Sequence, residues 1–270
     1  MKNKIFMSLL LGAMLLTACD DEAPMERSLY PETVYLVGAK DKIITRELNL
    51  GYDQDTVYAS VAVSGTLPTE KNVIAEVEQI PEAILRYNDR ELGTNDVLYQ
   101  NLPADIYSIP DPAVTVPAGE PYGTLPIYIE PATLHVDSLY MIALKLKSTS
   151  DFALTKTDTV VLMKFNIVND YSGLYYMDAI IKDVANPSDS VTYKTSRNLQ
   201  AVRDGRTVRM YHMQNEWSKG ATDYRPNYCF NITVNDDNTV SLSTWDKFKI
   251  LGYEGVYHPD MRAVSYTHLR

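Results

Sequence analysis

Val57-Tyr58-Ala59-Ser60-Val61-Ala62-Val63 decides the fold class. Small apolar and β-branched residues alternate with a phenol and a hydroxyl, which is the period of a strand with one buried face. Outward from it, strand patterns recur at 33–37, 43–50, 72–78, 123–129, 139–146 and 159–168. Gly38-Ala39-Lys40-Asp41, Gly51-Tyr52-Asp53 and Gly65-Thr66-Leu67-Pro68 supply the turns between the first of them. Pro81 to Asn88 is the one segment that reads as a short helix, because Pro suits a first turn and Ile84, Leu85 and Asn88 fall at helical spacing. Seven or more short strands without a long helical pattern predict an immunoglobulin-like antiparallel sandwich over 33–168. There is no Cys-Trp-Cys signature, so the label describes architecture only.

A second unit is expected over 169–263, starting at Asn169-Asp170-Tyr171-Ser172-Gly173. Strand patterns lie at 174–182, 190–195, 198–202, 207–212, 228–234 and 239–243, with a turn at Asn235-Asp236-Asp237-Asn238, residue types that accept left-handed backbone. The whole is read as all-β, an N-terminal sandwich followed by a curled antiparallel sheet or small barrel.

Composition narrows function. The chain has 270 residues, 45% hydrophobic and 10% aromatic, with 20 Tyr against 5 Phe, a globular composition rather than a disordered one. Its formal net charge is −10, which repels nucleic-acid phosphates, and no nucleic-acid partner is expected.

Both ends are set apart from the folded units. Residues 1–18 read as a signal peptide: Lys2 and Lys4 precede an apolar run from Ile5 to Leu16 that is short for a bilayer span. Leu16-Thr17-Ala18-Cys19 resembles the lipobox of bacterial lipoproteins, in which the Cys sulfur carries lipid; the alternative is a plain secretory signal with a chance Cys. Lipidation at Cys19 would anchor the chain to the outer membrane through a tether over 19–32. Asp20-Asp21-Glu22 resembles the acidic signal that exports Bacteroidota lipoproteins to the cell surface, with plain linker charges as the alternative. Only two Cys occur, so a lipidated Cys19 leaves Cys229 alone, in an apolar strand pattern that reads as a buried, inert thiol. At the other end, Val264-Ser265-Tyr266-Thr267-His268-Leu269-Arg270 is encoded by GTC TCT TAT ACA CAT CTC CGA, which resembles a transposon-end sequencing adapter. Residues 264–270 are therefore read as an artefact, expected to pack poorly or to dock only as an incidental tail, and the C-terminal sheet as truncated.

Ile84-Leu85-Arg86-Tyr87-Asn88, Tyr99-Gln100-Asn101-Leu102-Pro103, Val116-Pro117-Ala118-Gly119 and Asn169 through Tyr175 together resemble a large Bacteroidota family of two-domain cell-surface lipoproteins of unknown function. The resemblance implies a sandwich domain of a kind also attached to glycoside hydrolases, and a lipocalin-like or barrel C-terminal domain. Members are often encoded in polysaccharide-utilisation clusters, which implies a role with glycans, with an outer-membrane transporter of the same cluster as a partner.

Chemistry points the same way. His135, His212 and His258 stand alone, and no zinc spacing, nucleophile elbow or phosphate loop is present, so no enzyme, metal or cofactor is expected. Glycan binding asks for less: an aromatic face and a few polar groups beside it. The segment 214–225 contains Asn215, Glu216, Trp217, Asp223, Tyr224 and Arg225 without strand periodicity, and reads as a long functional loop. Trp245, just after a strand, is the further candidate, with a core role as its alternative. Asp55-Thr56, Asp137-Ser138, Asp158-Thr159 and Asp189-Ser190 resemble a short O-glycosylation motif. Two functions stand: a non-catalytic glycan-binding surface lipoprotein, and a structural adhesin or assembly component.

Overall fold

The computed structural model describes residues 30–39, 43–157, 159–183, 185–212 and 225–269, with backbone alone for 266–269. Cys19 and the leader lie outside the described residues. Two sheets pack face to face in the N-terminal half. The first contains β1 (Thr33–Leu36), β3 (Asp55–Val63), β6 (Tyr107–Ser108), β8 (Tyr122–Ile129) and β10 (Ala153–Leu154), in the order β10-β1-β3-β8-β6. The second contains β2 (Ile43–Asn49), β4 (Val73–Gln79), β7 (Ala113–Val116), β9 (Leu139–Thr149) and β11 (Val160–Val168), ordered β2-β11-β9-β4-β7, with β5 (Tyr99–Asn101) also on β9.

The alternation read from the sequence is what builds the layer between them. Val57, Ala59 and Val61 of β3 point into the core while Tyr58 faces out, and they meet Val73, Ala75, Leu144, Leu146 and Met163 of the second sheet. Both sheets are mixed rather than purely antiparallel: β1 runs parallel to β10, β2 to β11 and β5 to β9. For β1–β10 and β2–β11 the reason lies in the two ends of the domain, whose first and last strands lie side by side and run the same way.

Helix α1 (Glu82–Glu91) covers the outer face of the second sheet, seating Ala83 and Ile84 on Met141, Ala143 and Leu162. Asn88 fixes it, donating to the Tyr99 carbonyl at 2.8 Å and accepting from the Tyr99 amide at 3.1 Å. Leu85 does not share that face; one residue beyond Ile84 turns it about 100° away into solvent.

The C-terminal half contains β12 (Gly173–Lys182), β13 (Ser190–Ala201), β14 (Thr207–Tyr211), β15 (Cys229–Val234) and β16 (Val240–Thr244) as one antiparallel meander. The segments expected as two strands at 190–195 and 198–202 are one strand, with Ser196 and Arg197 paired to Tyr176 and Tyr175 within the ladder. Phe230 and Ile232 are fully buried at its centre, and Cys229 is buried beside them. The turn at 235–238 forms as expected, with Asn238 in the left-handed region at φ 63°.

β17 (Tyr253–His258) and β18 (Ala263–Leu269) make a hairpin that joins the meander through a bridge from Val256 to Thr239. The tail does not pack poorly: it docks by pairing as a strand. Val-Ser-Tyr-Thr alternates strand-forming residues, which is enough for ladder pairing. Val264 packs against the Phe230 core.

The halves meet closely. Asn169, almost fully buried at the start of the second half, donates to the carbonyls of Asp204 (2.9 Å) and Thr207 (2.8 Å), and Asn49 of the sandwich donates to the neighbouring Asp170 Oδ1 at 2.9 Å. A Cβ on Gly205 would sit 2.6 Å from the Gly51 Cα, so the two backbones touch where neither carries a side chain.

Candidate functional site

Of the residues expected to form the loop site, Asn215, Glu216, Trp217, Asp223 and Tyr224 lie outside the described residues. Arg225 and Trp245 are described, and the fold brings them together. Arg225 opens a short helix, α2 (Arg225–Tyr228), whose Pro226 carbonyl accepts the amides of Lys247 (2.7 Å) and Phe248 (3.2 Å). That pins the segment after β16 against the start of β15. His212 packs on Phe248 with centroids 5.1 Å apart, so His212 and Arg225 are both held beside the stretch from Trp245 to Phe248.

Trp245 is half-buried, and two guanidinium groups approach its ring: Arg209 at 4.8 Å and Arg225 at 5.4 Å from the centroid. Such contacts contribute about 0.5–2 kcal/mol, more as water is excluded. Both cations converge on Asp137, which sequence reasoning placed only in a modification motif. Arg209 donates to it through Nη2 at 2.5 Å and Nη1 at 3.1 Å, and Arg225 through Nη1 at 2.6 Å. Arg209 Nη2 also donates to Gln200 Oε1 at 2.5 Å, while Gln200 donates to the Val136 carbonyl at 3.2 Å. Asp137 and Val136 belong to the sandwich, and Arg209, Gln200, Arg225 and Trp245 to the second half. The cluster is therefore also the clamp between domains.

Electrostatics follow from this geometry. Burial alone pushes the Asp137 carboxyl up, but the hydrogen bonds and charge of Arg209, with Arg225 behind it, hold it below the ordinary carboxylate value. Burial pushes the His212 imidazole down. Among the described residues no group of three His, Cys, Asp or Glu is placed to hold a metal ion. No helix among them is long and apolar enough to cross a membrane.

Fold and site thus define an all-β two-domain protein with an indole clamped by cations at the domain junction. One family model, of an N-terminal domain, matches residues 30–153, and a second, of a C-terminal domain, matches 159–268. The chain belongs to a two-domain Bacteroidota family of unknown function. No curated protein matches it. A solved Bacteroides ovatus protein of unknown function is similar over 84% of this chain and 78% of its own, at 18% identity and a TM-score of 0.63. A B. ovatus multidomain protein including DUF1735 is similar over 81% and 73%, at 18% identity and TM-score 0.58. An auxiliary nutrient binding protein from Bacteroides thetaiotaomicron covers 80% and 77%, at 17% identity and TM-score 0.57. At these identities the likeness is one of fold.

Proposed function

We propose that this chain is a surface-exposed lipoprotein, anchored in the outer membrane through Cys19, that binds glycan without transforming it. The observation that carries the reading is the convergence of Trp245, Arg225 and the His212–Phe248 pair at one place. An indole beside fixed donors supplies what a sugar needs, an apolar surface next to hydroxyl partners. The binding role named for one structural neighbour is in keeping with it. An assembly role is favoured by one feature only: β12 is the edge strand of its sheet, with ten residues available for pairing.

Isothermal titration of the protein against a panel of host and plant glycans tests the reading. A glycan that binds should lose about 1–3 kcal/mol on Trp217→Ala or Trp245→Ala. Unchanged affinity in both variants removes the junction from the site, and absence of binding across the panel removes the function. Cys19→Ser should release the protein from the membrane fraction; a variant that still pellets and resists carbonate extraction refutes the anchor.

A further inference from the structure

The outer face of the β12–β13 ribbon is packed by nothing among the described residues. Its register pairs Leu174 with Asn198, Tyr176 with Ser196, Asp178 with Lys194 and Ile180 with Thr192, so these eight side chains share one face. β14 pairs with β13 only at Gln200 and Ala201, which leaves the rest of the ribbon two strands wide. Every one of the eight is exposed, and Tyr176, at 88%, is the most exposed large hydrophobic side chain among the described residues. An open depression of about 430 Å³ lies against it, lined by Tyr176, Met177, Asp178, Lys194, Thr195 and Ser196.

We propose that this depression is a second carbohydrate subsite, in which the Tyr176 ring stacks on the apolar face of an uncharged sugar and Asp178, Lys194 and Ser196 bind its hydroxyls. The volume is that of a small-molecule site. The side chains supply what a pyranose asks for: one flat aromatic surface, a carboxylate to accept, and an ammonium and a hydroxyl to donate. Charge selects the class of sugar. Asp178 and Lys194 neutralise each other across 3.1 Å, so the depression presents no net charge, and a chain of net charge −10 repels polyanions. An ion pair this exposed contributes little to stability, so holding the ribbon together does not account for it. The same charges argue against a second copy or another protein as occupant, because they interrupt the apolar face that such docking would bury.

This subsite lies on strands other than those around Trp245 and stands or falls separately from it, although both serve glycan binding. Native gels cast with barley β-glucan, xyloglucan, yeast α-mannan or arabinoxylan, all uncharged, provide the test. At least one should retard the protein, and Tyr176→Ala should raise the apparent dissociation constant at least tenfold. Tyr176→Phe should retain binding because the ring remains. An alginate gel should retard neither protein. Circular dichroism should be unchanged in all variants, since Tyr176 lies outside the core. Three results overturn the proposal: no retardation of the protein by any uncharged polysaccharide, retardation that Tyr176→Ala leaves intact, or self-association of the protein that Tyr176→Ala abolishes. Loss on Trp245→Ala with none on Tyr176→Ala would favour the junction and overturn this subsite alone.

Discussion

Asp137→Ala should weaken the domain junction by about 3 kcal/mol. The substitution removes three charge-assisted contacts at 2.5, 3.1 and 2.6 Å and leaves Arg209, whose side chain is 2% exposed, with Gln200 as its remaining side-chain hydrogen-bond partner among the described residues. Removing one partner of a buried pair costs about 3–5 kcal/mol, because the other charge stays desolvated. Asp137 itself is 19% exposed, so water can partly replace it, and the low end of that range applies. At about 2–4 °C per kcal/mol, the melting temperature falls by about 6 °C or more. Domains can unfold separately, so the readout should be local to the junction. The chain has two Trp, and in a Trp217→Phe background the Trp245 indole is the sole reporter. Urea titration followed by its fluorescence measures the loss. Adding Arg209→Met to Asp137→Ala should restore most of it, since the more deeply buried of the two stranded cations is gone and Arg225, at 12% exposed, keeps some access to water. A loss below about 1 kcal/mol, or no recovery in the double variant, refutes the clamp.

Two further outcomes follow from the same junction. Gly205→Ala places a methyl 2.6 Å from the Gly51 Cα and should cost about 1–3 kcal/mol in a thermal melt, whereas Gly93→Ala, whose nearest atom is at 3.6 Å, should change stability by less than about 0.5 kcal/mol; equal effects would refute the close approach. Acid should destabilise in two steps. His212 and Asp137 both titrate lower in the folded chain, so the unfolded chain binds more protons and stability is lost as pH falls, first below the ordinary His value of 6.5 and again below the ordinary Asp value of 3.8. Melting temperatures across pH 8 to 3 check the sign, Asp137→Asn should flatten the lower step, and a rise in stability on acidification would contradict it.

Local chemistry was the legible part. β3 declares itself because buried and exposed positions alternate over a full strand, and the 235–238 hairpin because Asn and Asp accept its backbone. β5, β6, β7 and β10 contain two to four residues each, too few periods for a pattern to stand out. Trp245 and Arg225 were singled out by residue type, and the fold sets them side by side. Asp137 was not. It lies 72 positions from Arg209, and nothing in its own neighbourhood signals that a sandwich loop will meet the second domain.

β11 is where the two domains become hard to separate. The C-terminal family model begins at residue 159, yet β11 (Val160–Val168) lies inside the sandwich, flanked by β2 over seven residue pairs and by β9 over six. Its Val161, Met163 and Phe165 belong to the first core. A gene fusion joined between residues 153 and 159 would deprive the sandwich of that strand unless the incoming C-terminal unit brought an equivalent one. The segment matched to the second domain thus begins with the strand that finishes the first.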